Sequence, residues 1–171
     1  AHTSNPVDPG PVVAEAMPEE TPERIGEYLP ERLLGRGAMA SVYLCRAPDG
    51  RAVALKWLGT KHPPLVRRFE REIEVLGRVK HPNVISCLGS GMWEGRPFLV
   101  MEYVEGLDLR LFASKLWKRP ASERYARVRT IGRQLADALQ AMHEQNLVHR
   151  DVKPSNVLVA DDGRAVLTDL G

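Results

Sequence analysis

The chain has 171 residues, 43% hydrophobic and 27% charged, a balance that excludes a wholly disordered or fibrous protein. A net charge of +2 gives no ground for nucleic-acid binding, and no apolar run approaches the roughly 20 residues of a membrane span. Two cysteines, Cys45 and Cys87, stand 42 positions apart without a CxxC; they exclude a disulfide framework and a cysteine zinc site and fit a reducing, cytoplasmic setting.

The first ten residues are polar and Pro-rich, unlike a secretory signal. Residues 1–27 hold six acids and one base, and five of the 13 prolines, for a net charge of −5 against +7 for the rest. With so few large apolar side chains they cannot offset ordering entropy, so 1–27 reads as a flexible acidic tail. From Tyr28 the texture changes. Leu33-Leu34 leads into Gly35-Arg36-Gly37, then Val42-Tyr43-Leu44, the turn Pro48-Asp49-Gly50, and a β-rich run from Ala52 to Leu58. The pattern predicts strand, Gly-rich turn, strand, turn, strand. Phe69, Ile73 and Leu76 fall on one face of a helix predicted over Leu65 to Val79. Strands follow at Val84–Leu88 and Phe98–Tyr103, with a loop between them holding Gly89, Gly91 and Gly95. Pro120 and Ser122 mark a helix start, Val128, Ile131, Leu135, Leu139 and Met142 make its apolar stripe, and Asn146 is its left-handed stop. Asp161-Asp162-Gly163 turns a last short hairpin.

Three groups of residues carry chemistry. The first is the Gly-rich hairpin, which alone reads equally well as a tight turn. No Gly-Lys pair makes it a phosphate loop, and it continues into a strand rather than opening a helix. A hairpin tip that bares backbone N–H groups suits a lid over polyphosphate. The second is Lys56, in the apolar strand Val53-Ala54-Leu55-Lys56; it either snorkels from a sheet edge or points a cation at phosphates. In the latter case a carboxylate must hold it. Periodicity does not settle which of Glu70, Glu72 and Glu74 turns inward; Glu72 flanks the apolar helix face, and Glu70 and Glu74 lean toward solvent. The third is decisive: His149-Arg150-Asp151-Val152-Lys153-Pro154-Ser155-Asn156, with Asp169-Leu170-Gly171 following 18 residues after Asp151.

With these motifs, and with His81-Pro82-Asn83 and Met101-Glu102-Tyr103, the sequence from Tyr28 to Gly171 resembles the protein kinase family, in its serine/threonine (Hanks-type) branch. Lys153 is the residue that branch carries, and the wording around Gly35 and His149 is most similar to bacterial members. Arg outnumbers Lys 18 to 6, which points the same way. The resemblance implies an α+β fold: a β-rich first lobe with one main helix over residues 28–103, and the opening part of a helical second lobe over 104–171. It implies ATP and Mg²⁺ (or Mn²⁺) as cofactors and a protein Ser/Thr hydroxyl as acceptor, with autophosphorylation open. Leu34, Gly35, Gly37 and Val42 would cover ATP, and Ala54 and Leu158 would enclose the adenine. Met101 would be the gatekeeper. Glu102 and Val104 would bind adenine by backbone groups, leaving their side chains less constrained, and Asp108 would reach the ribose. Lys56 would hold the α- and β-phosphates and pair with Glu72. Asp151 would orient the acceptor hydroxyl, Lys153 would stabilise the moving phosphoryl, and Asn156 and Asp169 would hold the metal.

The sequence departs from the family at Ala40, in place of the third glycine, and at Leu170, in place of Phe, which is expected to pack near Leu76 and His149. It also stops at Gly171, where the family continues into an activation loop, an Ala-Pro-Glu segment and further helices. The expectation is a fragment inactive alone, its Val128–Met142 stripe left bare. The alternatives are a non-catalytic nucleotide-binding module and a small-molecule phosphotransferase. A basic stretch from Lys115 to Arg133 reads as a solvated face or as a docking site for acidic segments.

Overall fold

The computed structural model describes residues 21–169. Five strands build the first sheet: β1 (Leu29–Arg36), β2 (Ala40–Arg46), β3 (Ala52–Leu58), β4 (Cys87–Trp93) and β5 (Arg96–Glu102). They are antiparallel, in the order β1-β2-β3-β5-β4. Helix α1 (Pro63–Arg78) joins β3 to β4. Two glycine turns fall where the sequence puts them: Gly37 N–H donates to the Ala40 carbonyl at 2.8 Å, and Gly50 takes φ +84° after Pro48-Asp49.

Alternation along the strands sorts the side chains into two cores. Val53, Leu55 and Trp57 of β3 join Tyr43, Cys45, Phe98 and Val100 on one face. Ala54 and Leu58 turn to the other, with Leu99 and Met101 of β5 and Phe69 and Leu76 of α1. Lys56 has the same parity as Ala54 and Leu58, so it projects toward α1. Burial pushes the Cys45 thiol up to about 12, as expected of an inert core cysteine.

The first core reaches further toward the N-terminus than Tyr28. Ile25, assigned by composition to the tail, is fully buried against it and exchanges two backbone hydrogen bonds with Tyr28, each 3.0 Å. One aliphatic residue inside an acidic, Pro-rich stretch is invisible to a composition argument. Residues 1–20 of the proposed 1–27 tail lie outside the described residues, as do Leu170 and Gly171.

The glycines between the predicted strands do not form a loop. Gly89 and Gly91 lie within β4, and the turn is the pair Glu94-Gly95, with φ +52° and +72°, a two-residue hairpin connection. Gly91 is required there because a Cβ would lie 2.6 Å from the Phe98 ring.

A second sheet, β6 (Gly106–Asp108), β7 (Val157–Ala160) and β8 (Ala165–Leu167), is flanked by α2 (Leu109–Leu116) and α3 (Ala121–His143). Asn146 takes φ +58° just beyond α3. The apolar stripe of α3 is not bare: Ile131, Ala138 and Met142 are buried, Leu135 and Leu139 pack on the same core, and only Val128, 61% exposed, points out. The β7–β8 hairpin covers the face that the sequence assigned to later helices. The segment after α1 also crosses to this sheet. Asn83 donates to the Ala165 carbonyl at 2.7 Å and accepts from Leu167 N–H, while Ile85 N–H donates to the Leu167 carbonyl. One apolar cluster therefore runs from β3 and α1 through to α3 and β8. Among the described residues no helix is long and apolar enough to cross a membrane.

Candidate active site

Lys56 Nζ lies 2.7 Å from Glu72 Oε1 and 2.8 Å from Asp169 Oδ1. The helix spacing that buries Phe69 and Leu76 also brings Glu72 inward, while Glu70 and Glu74 stay exposed. Burial alone would lower the Lys56 ammonium, but the Asp169 and Glu72 carboxylates together outweigh it and hold Lys56 above its ordinary value. Burial pushes Glu72 up despite the Lys56 cation, and the second carboxylate, Asp169, adds to the rise. Two acids thus share one ammonium. A cavity of about 160 Å³ is lined by Lys56, Glu72 and Asp169, and also by Asp151 and the hairpin residues Met39 and Ala40.

The loop after α3 presents Asp151 on a network of its own. Lys153 Nζ donates to Asp151 Oδ2 at 2.6 Å, and Asn156 Nδ2 donates to the same oxygen and to the Asp151 carbonyl, both at 3.0 Å. The Lys153 hydrogen bond, followed by that of Asn156, holds the Asp151 carboxyl below the usual range. His149, buried, links this loop to the next strand end. Its Nε2 lies 2.9 Å from the Thr168 carbonyl, and its Nδ1 lies 3.3 Å from Asp151 N–H. The two contacts together assign the proton to Nε2. The ring thereby fixes Asp151 relative to Thr168 and so to Asp169. Arg150 and Asp169 both take left-handed backbone, φ +66° and +53°, a conformation that persists in non-glycine residues when the surroundings enforce it.

The other predicted residues fall into two groups. Ala54, Met101 and Val104 are buried in the shared apolar cluster, and Val42 and Leu158 pack against it, so the expected adenine walls are gathered together. Gly35 pairs with Val42 across β1–β2, with Leu34 beside it and Gly37 at the turn. Two side chains are more engaged than sequence suggests. Glu102 accepts from Ser86 N–H at 3.1 Å and pairs with Arg164 at 3.0 Å. Burial works against ionisation of Glu102, but the Arg164 and Ser86 hydrogen bonds prevail and keep it below its ordinary value. Asp108 Oδ1 accepts from Arg110 and Leu111 N–H and caps α2, so any ribose contact shares the carboxylate with that cap.

Sequence reasoning missed Arg164 and Gln134. Arg164 also donates to the Pro82 carbonyl, and Gln134 Oε1 accepts from Ala165 N–H at 2.6 Å and from Asn83. Both brace the segment that joins the sheets. Neither stands in a motif; a glutamine near the apolar face of α3 was the one visible sign.

Residues 28–171 match the model of the protein kinase domain. The chain belongs to the protein kinase family. Serine/threonine-protein kinase PknH of Mycobacterium tuberculosis is 35% identical over 163 residues, covering 93% of this chain and 25% of PknH. The crystal structure of the M. tuberculosis PknI kinase domain superposes with a TM-score of 0.70 at 30% identity, covering 94% of this chain and 61% of that one. The structure of Rad53 residues 1–466 in complex with AMP-PNP gives a TM-score of 0.71 at 29% identity, covering 85% and 38%. The fold is that of a protein kinase: a five-stranded first lobe and part of a second. The chain spans a fifth to a third of the length of the curated relatives it matches.

Proposed function

We propose that this chain carries the ATP-handling part of a protein serine/threonine kinase, which moves the γ-phosphoryl of ATP to a Ser or Thr hydroxyl of a protein. The observation that carries this reading is Lys56 held between Glu72 and Asp169 around a cavity that Asp151 also lines. The names of the relatives support the serine/threonine class, and the AMP-PNP in Rad53 supports a nucleotide. A first lobe of 28–103, a second from 104, and a cytoplasmic location belong to the same proposal; the location is supported by two free cysteines.

Phosphoryl transfer places charge on oxygens, so the protein mainly positions and neutralises. Lys56, fixed by Glu72, presents its ammonium to the α- and β-phosphates. The Gly35–Gly37 hairpin covers the phosphates with backbone N–H groups, and Ala54, Val42, Met101 and Leu158 enclose the adenine. Asp151, ionised at neutral pH, orients the acceptor hydroxyl and takes its proton. Lys153, beside it, balances charge on the moving phosphoryl.

The donor set suits Mg²⁺, which binds one or two protein oxygens and completes its shell with phosphate and water. Asn156 spends Nδ2 on Asp151, leaving Oδ1 as an oxygen ligand, and Asp169 keeps a carboxylate oxygen beyond its Lys56 bond, its side chain 48% exposed. Bound there, the ion would neutralise the β- and γ-phosphate oxygens. A rate of roughly 10 per second corresponds to a barrier of about 16 kcal/mol, and misplacing one group by about 1 Å adds nearly 3 kcal/mol. The test is transfer from [γ-³²P]ATP by the full-length protein, with phosphoamino-acid analysis. Label on Ser or Thr is expected, lost with EDTA and in Lys56→Met, Asp151→Asn and Asp169→Ala. Label retained in Lys56→Met or Asp169→Ala refutes the assignment.

A further inference from the structure

A groove of about 240 Å³ lies between α2, the start of α3 and the β7–β8 turn, and it includes none of the residues assigned to phosphoryl transfer. Its floor is apolar: Leu107, Phe112, Leu116 and Val159. Its rim carries Lys115, Arg119 and Arg127, all exposed, and no ion pair among the described residues engages any of them. Glu123 and Asp161 share the rim, so the groove cannot accommodate a long run of acids. Its chemistry selects a short aliphatic pair flanked by single carboxylates. At the corner between α2 and α3, Arg124 stacks on Trp117 at 4.6 Å and donates to its carbonyl, so the cations are displayed from an ordered surface.

The chain itself contains such a segment. Residues 1–20 carry four acids and no Lys or Arg, and Asp8 and Glu15 bracket Val12-Val13. We propose that this groove binds the chain's own N-terminal segment, with Val12-Val13 on the apolar floor and Asp8 and Glu15 facing Lys115, Arg119 and Arg127. The nine Cα-to-Cα steps from Val12 to Thr21 reach roughly 30 Å when extended, about the diameter of a small domain. The tether holds the segment at an effective concentration near the millimolar range, so a weak site is enough. This inference rests on the groove and the charge pattern, and it stands whether or not the chain transfers phosphate.

Zero-length cross-linking of the full chain tests it. A water-soluble carbodiimide activates a carboxyl, and the Lys115 amine then displaces the activated oxygen to give an amide, while the carbodiimide leaves as its urea. Mass spectrometry should find Asp8 or Glu15 joined to Lys115, with each cross-linked peptide carrying a single label when ¹⁴N and ¹⁵N chains are mixed. Val12→Asp with Val13→Asp lies outside the described residues and should lower the yield roughly tenfold. Arg119→Glu with Arg127→Glu should also lower it, as should 1 M salt, which shortens screening to about 3 Å. Absence of these cross-links, mixed-label products, or a yield unchanged by the valine substitutions would each overturn the proposal.

Discussion

Replacing Lys56 with Met removes the one cation between Glu72 and Asp169. Each contact is under 3 Å, and at an effective dielectric of about 20 each gross attraction is roughly 6 kcal/mol, largely offset by desolvation. What the variant loses is set by the acid left behind. The Glu72 side chain is 12% exposed, and a buried carboxylate without its partner costs about 3–5 kcal/mol. Protonation limits that cost. Taking up a proton at pH 7 costs about 1.4 kcal/mol for each pH unit down to the ordinary Glu value near 4.3, about 3.7 kcal/mol at most, and less because burial already raises Glu72. The expected loss at neutral pH is therefore about 3 kcal/mol, or roughly 6–12 °C in Tm for a chain of this size. The sign follows from linkage. In the variant, folded Glu72 titrates above its unfolded value, so the folded state binds more protons and stability falls as pH rises through that window. Urea unfolding of wild type and variant should show a small gap at pH 5 and the full gap at pH 8. Lys56→Met with Glu72→Gln should recover most of it. An equal gap at both pH values, or a variant as stable as wild type at pH 8, would refute the reasoning.

Asp108→Asn keeps a cap on α2 but removes the charge. Asp108 is held low, first by the Leu111 N–H, so its contribution is present above the ordinary Asp value near 3.9 and fades as pH falls through its lower folded value. Acid unfolding of Asp108→Asn should lack that step, while Asp108→Ala should lose about 1 kcal/mol at all pH values above it, read by urea denaturation. Gly91→Ala should cost about 1–3 kcal/mol, because its methyl would press on the Phe98 ring; Gly91→Ala with Phe98→Leu should recover part of that in thermal melts.

The site was legible where chemistry and periodicity agreed. Two-residue alternation sends Lys56 to the α1 face of β3, and the spacing of Phe69, Ile73 and Leu76 puts Glu72 beside the apolar face, although it is the contact with Lys56, not periodicity, that decides among the three glutamates. Asp151, Lys153 and Asn156 lie within six residues, so local sequence fixes their neighbourhood. The misses were non-local. A strand glycine such as Gly91 looks like a loop glycine until Phe98 is placed opposite it. Ile25 gains its burial from a core whose other fully buried members start at Tyr43, 18 positions away. The packing of Ile131 and Met142 depends on β8, which is three residues long and too short for periodicity to announce. Glu102 is committed by Arg164, 62 residues distant, and nothing local to either residue indicates that pair.

The crossing segment after α1 sets how that helix can move. Leu76 and Val79, at its C-terminal end, sit in the apolar cluster, and Asn83 and Ile85 just beyond are hydrogen-bonded to the second sheet. The opposite end begins at Pro63 with no side chain capping it. Such a helix is a lever with its fulcrum in the other lobe. A push at the Pro63 end swings Glu72 through an arc, while Leu76 stays nearly still. Phe69, buried between Pro63 and Glu72 on the same helix, travels with that arc, so opening the Lys56 bond also slides the α1 face of the apolar cluster.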